Sequence, residues 1–288
     1  MEKVTERVFT ITNIKGCNPS YVVTSEGVVI IDTPQLPTKA VEMRAEVLKK
    51  GGARFLINTE HHIYHIFGNH YFAGLCPVIA HENTLKDFWA VSPPVMDPYV
   101  GMIEVVEKND PSGMPLMPAD KDLIRNPPTI TFNDRLTLRS GDHIFEFIHT
   151  PGHTRGQIAV YVAKEKVIFS ADTIFSQCQP FFHNSDPESW LRSLDFLKTL
   201  DADYIVPGHG PVCTKDYIPK QSAYIREWLA AVAVGIAKGW SRDECMERIN
   251  FLERLPMDVG HESSGPMVQK RNIGRIYDFL EGKAERYL

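Results

Sequence analysis

No part of the chain restricts its fold more than Asn58-Thr59-Glu60-His61-His62-Ile63-Tyr64-His65-Ile66-Phe67-Gly68-Asn69-His70. Four histidines, one glutamate and one tyrosine fall within eleven residues, behind the strand-like run Arg54-Phe55-Leu56-Ile57. A strand ending in a crowd of coordinating side chains is the usual layout of a metal site. The alternative, a histidine-rich surface loop, is disfavoured because three later histidines stand in equally pointed contexts.

Composition bounds the partners. A chain of 288 residues with 43% hydrophobic and 23% charged residues has ample core for one large domain or two modest ones. The net charge of -5, without a basic stripe, gives no reason to expect nucleic acid. Cys17, Cys76, Cys178, Cys213 and Cys245 are spread without a CxxC pair, so neither a disulfide framework nor a zinc knuckle is supported. Nothing apolar follows Met1 to Arg7 as a signal peptide would require, and the apolar runs are too short to span a bilayer. The expectation is a soluble, cytoplasmic protein without a membrane partner.

Strands are expected at 8–11, 20–24 and 28–32, the last ending at Asp32. Asp32 reads either as a carboxylate supporting a metal loop from behind or as a turn cap. A helix is expected over 38–50, then the strand 54–58, a short strand at 77–81 and a helix over 82–89. His81 reads as structural, before a cap at Asn83. The stretch 91–128 holds Pro93, Pro94, Pro98, Pro111, Pro115, Pro118, Pro127 and Pro128 beside Met96, Met102, Met114 and Met117, and suits a lid or an oligomer contact better than a core element. Strand signals return from Thr129 and lead into His149-Thr150-Pro151-Gly152-His153-Thr154, then Ala171-Asp172-Thr173, then Pro207-Gly208-His209-Gly210. The remainder is helical in pattern, with candidates at 216–239, 241–251 and 266–283.

Metal-capable groups therefore close successive strands: Glu60, His62, Tyr64 and His65, then His153, Asp172 and His209. Imidazoles and carboxylates without thiolate suit zinc, manganese or iron. Alternate residues of an extended segment share a side, so Glu60, His62 and Tyr64 are expected to enter one pocket, with His65 joining if the chain turns. Gly152 and Gly208 are expected to permit sharp turns.

These stretches resemble the metallo-β-lactamase superfamily pattern T-H-x-H-x-D-H-x-x-G-N, H-T-P-G-H-T, A-D-T and P-G-H-G, in order, over roughly residues 8 to 212. The resemblance implies an α/β fold, a four-layer αβ/βα sandwich. It assigns 1–215 to a catalytic domain with 91–128 as an insertion, and 216–288 to a helical extension packed on it. It implies His62 and His153 at a first metal, His65 and His209 at a second, and Asp172 bridging. The departures are Glu60 in place of histidine and Tyr64 in place of aspartate. His61 falls at a variable position and is expected to point away.

Phenolate is a poor zinc ligand at its unperturbed pKa of about 10 but a good ligand for ferric iron, and Glu60 is a harder donor than imidazole. Glu60 and Tyr64 thus read as metal ligands, or Tyr64 as a hydrogen-bond donor to substrate; one or two divalent or trivalent ions, zinc or iron with manganese a third candidate, are expected. The function expected is a metallo-hydrolase of a small ester, thioester or lactone using a metal-activated hydroxide, with Glu60, Tyr64 and Asp172 as catalytic groups. The alternatives are an iron-dependent oxygenase, lyase or dehalogenase, or a non-catalytic binder. A β-lactamase fits poorly for want of a signal peptide, and a tRNA-processing nuclease for its charge. Phe181, Phe182 and His183 read as substrate contacts for an apolar or aromatic small molecule, although large apolar residues are more often core. His261, Glu262 and Ser263 read as weaker candidates, and a homo-oligomer is expected.

Overall fold

The computed structural model describes residues 1–89 and 98–287. Pro93, Pro94 and Met96 of the proline-rich stretch lie outside them. The strands β1 (Glu2–Lys3), β2 (Val8–Thr10), β3 (Ser20–Thr24), β4 (Gly27–Ile31), β5 (Ala53–Ile57), β6 (Val78–His81) and β7 (Ile130–Phe132) form one sheet in that order. A second sheet runs β12 (Tyr204–His209), β11 (Val167–Phe175), β10 (Ile158–Val162), β9 (His143–His149) and β8 (Arg135–Ser140). Pairing is parallel from β4 to β7 and between β11 and β12, and antiparallel elsewhere.

The period-two alternation of each strand sorts side chains into layers. In β4, Val29 and Ile31 meet Phe145, Phe147, Val160 and Phe169 of the other sheet. Val28 and Ile30 point the other way, onto Met43 and Val47 of α1 (Pro37–Lys49). In β10, Ile158, Val160 and Val162 face the first sheet, whereas Ala159 and Tyr161 join Trp190, Leu194 and Leu197 of α5 (Pro187–Lys198). The layers are helix, sheet, sheet, helix.

The C-terminal helices α6 (Ile218–Ala237), α7 (Arg242–Arg248) and α8 (Gly265–Leu280) complete the outer layer. Ile225, Trp228, Val232, Ile273 and Ile276 belong to the same apolar cluster as Ile168 and Trp190, so these helices share one core with the second sheet.

The proline-rich stretch differs from expectation. It carries the helix α4 (Pro98–Asn109), whose Met102 and Val106 are buried against Ile66, Phe67 and Trp89. Proline begins α4 and begins the next helical turn at Pro111 without interrupting either, because the missing N–H falls among donors already unpaired there. His81 itself caps the short helix α3 (Glu82–Lys86), accepting from Asn83 N at 3.0 Å, and stacks on His149 at 3.9 Å.

Candidate metal centre

Past β5 the chain stays extended: Asn58 N donates to Ile79 O at 2.9 Å, and Ile158 N donates to Thr59 O at 2.9 Å, bridging the two sheets. His62 is still extended (φ -60°, ψ 142°) and caps the single turn α2 (Ile63–Ile66). Glu60 and His62 therefore share a side, and His65 returns to it one helical turn later. The alternation expected through Tyr64 fails because Tyr64 already lies on that turn. Its half-buried ring faces His261 at 5.5 Å and the Lys15 ammonium at 5.6 Å.

The later strand ends converge on the same place. His62 Nδ1 lies 2.8 Å from Glu60 Oε1 and 3.2 Å from His153 Nε2. His65 Nε2 lies 3.1 Å from Glu60 Oε1 and 3.2 Å from Asp172 Oδ1. Asp172 Oδ2 is 3.3 Å from both His153 Nε2 and His209 Nε2. Donor atoms of Glu60, His62, His153 and Asp172 lie within 4.8 Å of one another, as do those of His65, Asp172 and His209. The two groups share Asp172.

Each imidazole is oriented from its far side, as metal-binding histidines generally are. His65 Nδ1 meets Asp32 Oδ2 at 2.9 Å, and Asp32 also accepts from Thr59 N and Oγ1 at 2.8 and 2.5 Å. Asp32 thus ties the His65 ring to the Thr59 end of the extended segment. His153 Nδ1 faces Phe181 O at 2.8 Å, His209 Nδ1 faces Asp258 Oδ2 at 2.6 Å, and Asn184 Nδ2 lies 3.3 Å from His62 Nε2. Asp32 (φ 55°) and Ala171 (φ 45°) hold left-handed backbone unusual for their residue types, and such strain clusters at functional sites. Gly152 and Gly208 differ from expectation, since neither has a positive φ. They are needed for close approach: a Cβ would fall 2.4 Å from Trp190 Cα and 1.8 Å from Asp172 Oδ1, respectively.

Burial raises the Glu60 carboxyl above its ordinary value, with His65 opposing and Asp172 adding to the rise. Burial acts the same way on Asp172, but His209 and His65 hold it well below. Burial lowers His62 and His153 to about 4, leaving them neutral and fit to donate lone pairs. Against burial, Cys17, Asp172, Asp32 and Glu60 raise His65 well above normal, and Asp172 and Asp258 raise His209 to about 9. Buried polar atoms test whether a metal fits: Glu60 Oε2 makes no hydrogen bond, and His65 Nε2 and Asp172 Oδ1 stand 3.2 Å apart without forming one. Such groups are costly unless a cation or water satisfies them. The donor set fits a metal.

Residues 13–209 match the family model described as "Metallo-beta-lactamase superfamily". The chain belongs to the metallo-beta-lactamase superfamily. It is 28% identical over 139 residues to a linear primary-alkylsulfatase from a Pseudomonas species, a match over 44% of this chain and 26% of that protein. It is 38% identical over 81 residues to a hydroxyacylglutathione hydrolase from Rhizobium etli, covering 27% of this chain and 31% of the relative. The chain thus spans less than a third of the length of either. A metallo-beta-lactamase family protein from Thermus thermophilus superposes with a TM-score of 0.67 at 18% identity, over 97% of this chain and 95% of the other. A metallo-beta-lactamase from Pontibacter korlensis has a TM-score of 0.59 at 19% identity, over 78% and 97% of the respective chains.

Within this superfamily framework, the expected substrate residues separate. His183 lies beside the cluster, its ring 5.1 Å from that of His62 and 6.1 Å from that of His153. Phe181 reaches the His209 and His261 rings at 6.2 and 5.3 Å. Phe182 is a correction: it is fully buried between Trp190 and Trp228, because the chain alternates sides here and sends it into the outer core. Sequence reasoning passed over Lys15, Asp258 and Asn184, none of which ends a strand. It set His261 low, although its ring flanks Tyr64.

Proposed function

We propose that the protein is a metal-dependent hydrolase of a small organic molecule carrying an ester, thioester or lactone-like bond. One observation carries this reading: the buried Glu60 carboxylate enters the donor cluster in place of an imidazole, with Oε2 free of any hydrogen bond. A substitution that had silenced the site would not keep a buried carboxyl group aimed into it.

Glu60, His62, His153 and Asp172 are the residues to hold one ion, and His65, Asp172 and His209 a second. A bound metal supplies Lewis acidity and a water of near-neutral pKa. The chain's own groups do the rest. Asp32 and Asp258 fix the faces that His65 and His209 present. Glu60 Oε2 and the outer lone pairs of Asp172 are the sites to take a proton in the water-attack step. The His183 ring, 5.1 Å from that of His62, is the group placed to donate to a developing oxyanion. Phe181 excludes water from the His209 side.

The test is metal content and turnover measured together. Protein prepared without chelator should carry at least one equivalent of metal and hydrolyse a member of a panel of thioesters, lactones, aryl esters and alkyl sulfates. Chelation should abolish that activity and metal should restore it. Full occupancy with no hydrolysis across the panel would overturn the reading. Iron with a visible tyrosinate-to-ferric band would instead favour oxygenase, lyase or dehalogenase chemistry at the same residues.

A further inference from the structure

Between α5 and the β8 edge of the second sheet lies a cleft that the metal centre does not use. Ser189 and Ser193, like Arg192 and Phe196, stand one turn apart on α5, so the four share one side of that helix. That side meets the start of β8 and the stretch from Ile148 to Pro151 across a cavity of about 260 Å³. Trp190, Leu194 and Leu197 turn into the core and leave this side polar. Thr150, in the cavity wall, precedes His153 in the chain, but no member of the donor cluster lines the cavity.

Two arginines line this cleft without the carboxylate partners such groups usually have. Arg192 Nη2 donates to Ser189 Oγ at 2.8 Å, and the Arg135 guanidinium lies 5.1 Å from the centroid of the Phe196 ring. Among the described residues no carboxylate oxygen comes within 4.0 Å of either guanidinium. Asp134 also lines the cavity, where its backbone oxygen accepts from His149 N at 3.0 Å and its carboxylate pairs with neither arginine. Ser193 Oγ is engaged, donating to Pro151 O at 2.7 Å. Thr150 is not: it is 1% exposed and its hydroxyl has no hydrogen-bond partner. A buried hydroxyl left unpaired costs free energy that a ligand oxygen would recover.

We propose that this cleft binds the phosphoryl group of a small molecule, at a site separate from the metal centre and independent of the hydrolase reading. Each guanidinium presents a planar fork of N–H donors, and the Thr150 hydroxyl adds one more. A carboxylate is satisfied by a single fork. A phosphoryl dianion has three acceptor oxygens and can occupy two forks and a hydroxyl together. Size narrows the class further, because 260 Å³ falls just under the range of about 300–1,000 Å³ usual for ligand pockets. That holds a phosphoryl group and a few carbons, with the Phe196 ring as their apolar wall, and leaves no room for a nucleotide.

Calorimetry on the metal-loaded protein tests the site with methylphosphonate, whose phosphorus–carbon bond does not hydrolyse, beside inorganic phosphate and acetate. Methylphosphonate or phosphate should bind about tenfold tighter than acetate. Arg135→Met and Arg192→Met should each erase most of that preference, and Thr150→Val part of it, with metal content unchanged in all three. Arg135→Lys and Arg192→Lys should keep part of it. Methylphosphonate binding more tightly than phosphate would mark a phosphomonoester as the occupant, and the reverse order the free ion. No phosphoryl binding by the wild type, or acetate binding as tightly as both probes, would overturn the proposal. So would an affinity that survives both methionine variants, as it must if the anion sits on the metal. Binding seen only after Leu288 is removed would give the arginines to the chain's own end and overturn it too.

Discussion

At the residue scale, Glu60 and Tyr64 stand where the resemblance implies histidine and aspartate, and the structure separates them. Glu60 sits among the donors, whereas Tyr64 turns toward His261 and Lys15. If both are specialised, the double variant Glu60→His with Tyr64→Asp should gain zinc occupancy by elemental analysis and lose native turnover. Equal or higher turnover would argue against specialisation. The supporting carboxylates are a separate matter, because they touch no substrate. Asp258→Asn keeps a hydrogen-bonding oxygen beside His209 but removes its charge, and should weaken metal binding about 10- to 100-fold in a chelator competition. Unchanged affinity would mean that Asp258 only packs.

Lys15 makes a prediction of opposite character, in which a buried charge costs stability. Burial lowers it from its ordinary 10.5 to about 8, with Asp258 and Glu262 opposing and Lys108 adding to the fall. His261 and Tyr64 face it without carrying a compensating negative charge. Below about pH 8 both folded and unfolded chains hold the proton, so the full penalty of the buried charge is present. Between about 8 and 10.5 the folded chain releases it first, the unfolded chain binds more protons, and stability rises relative to a chain without the lysine. Lys15→Met should therefore be the more stable protein at pH 7, by on the order of 1 kcal/mol in urea unfolding, and the difference should shrink across that window. A difference that stays constant with pH would place the penalty elsewhere.

At the scale of elements, what could be read in the sequence follows a simple rule. His62 and His153 follow apolar strands, Asp172 lies within β11 after its apolar first half, and His209 ends β12, so local pattern alone marked them. Helix α4 was hidden because its one proline, Pro98, stands at its first position, where it is tolerated, while the density of prolines around it reads as loop. Asp258 was illegible, and His261 only faintly legible, for another reason: they reach the site by tertiary packing, and no periodicity announces it. The 180–185 loop is the clearest case. It is held through Asn272 and Arg275, two polar residues on α8 with nothing local to mark them. Asn272→Ala removes both of its bonds to buried backbone and leaves those groups unpaired, which should cost about 2 kcal/mol. It should also speed amide exchange in 180–185 more than in α5. Uniform exchange would show that the loop is held by its aromatics instead.

At the scale of the whole molecule, the question is whether residues 216–288 form an appendage or half of a layer. The superfamily match ends at residue 209, which invites the first answer. The packing gives the second. Trp228 stacks on Phe182 at 5.4 Å, and Phe182 lies 5.2 Å from Trp190, so the aromatic column that roofs the second sheet crosses from the matched region into the extension. Ile225, Val232, Ile273 and Ile276 fill the same core as Ile168 and Leu197. The extension also supplies Asp258 to His209, tying the last donor to a segment beyond the match. A chain ending at Thr214 would expose that column and the outer face of β10 and β11, and should lack a cooperative thermal transition, bind a hydrophobic dye and lose near-ultraviolet circular dichroism. Full-length Trp228→Ala serves as the milder control. Removing a large buried aromatic costs about 3–5 kcal/mol, so it should unfold at markedly lower urea while still binding metal when folded. A truncated chain that unfolds cooperatively and retains metal would mean that the extension is an added part, and that the centre was complete without it.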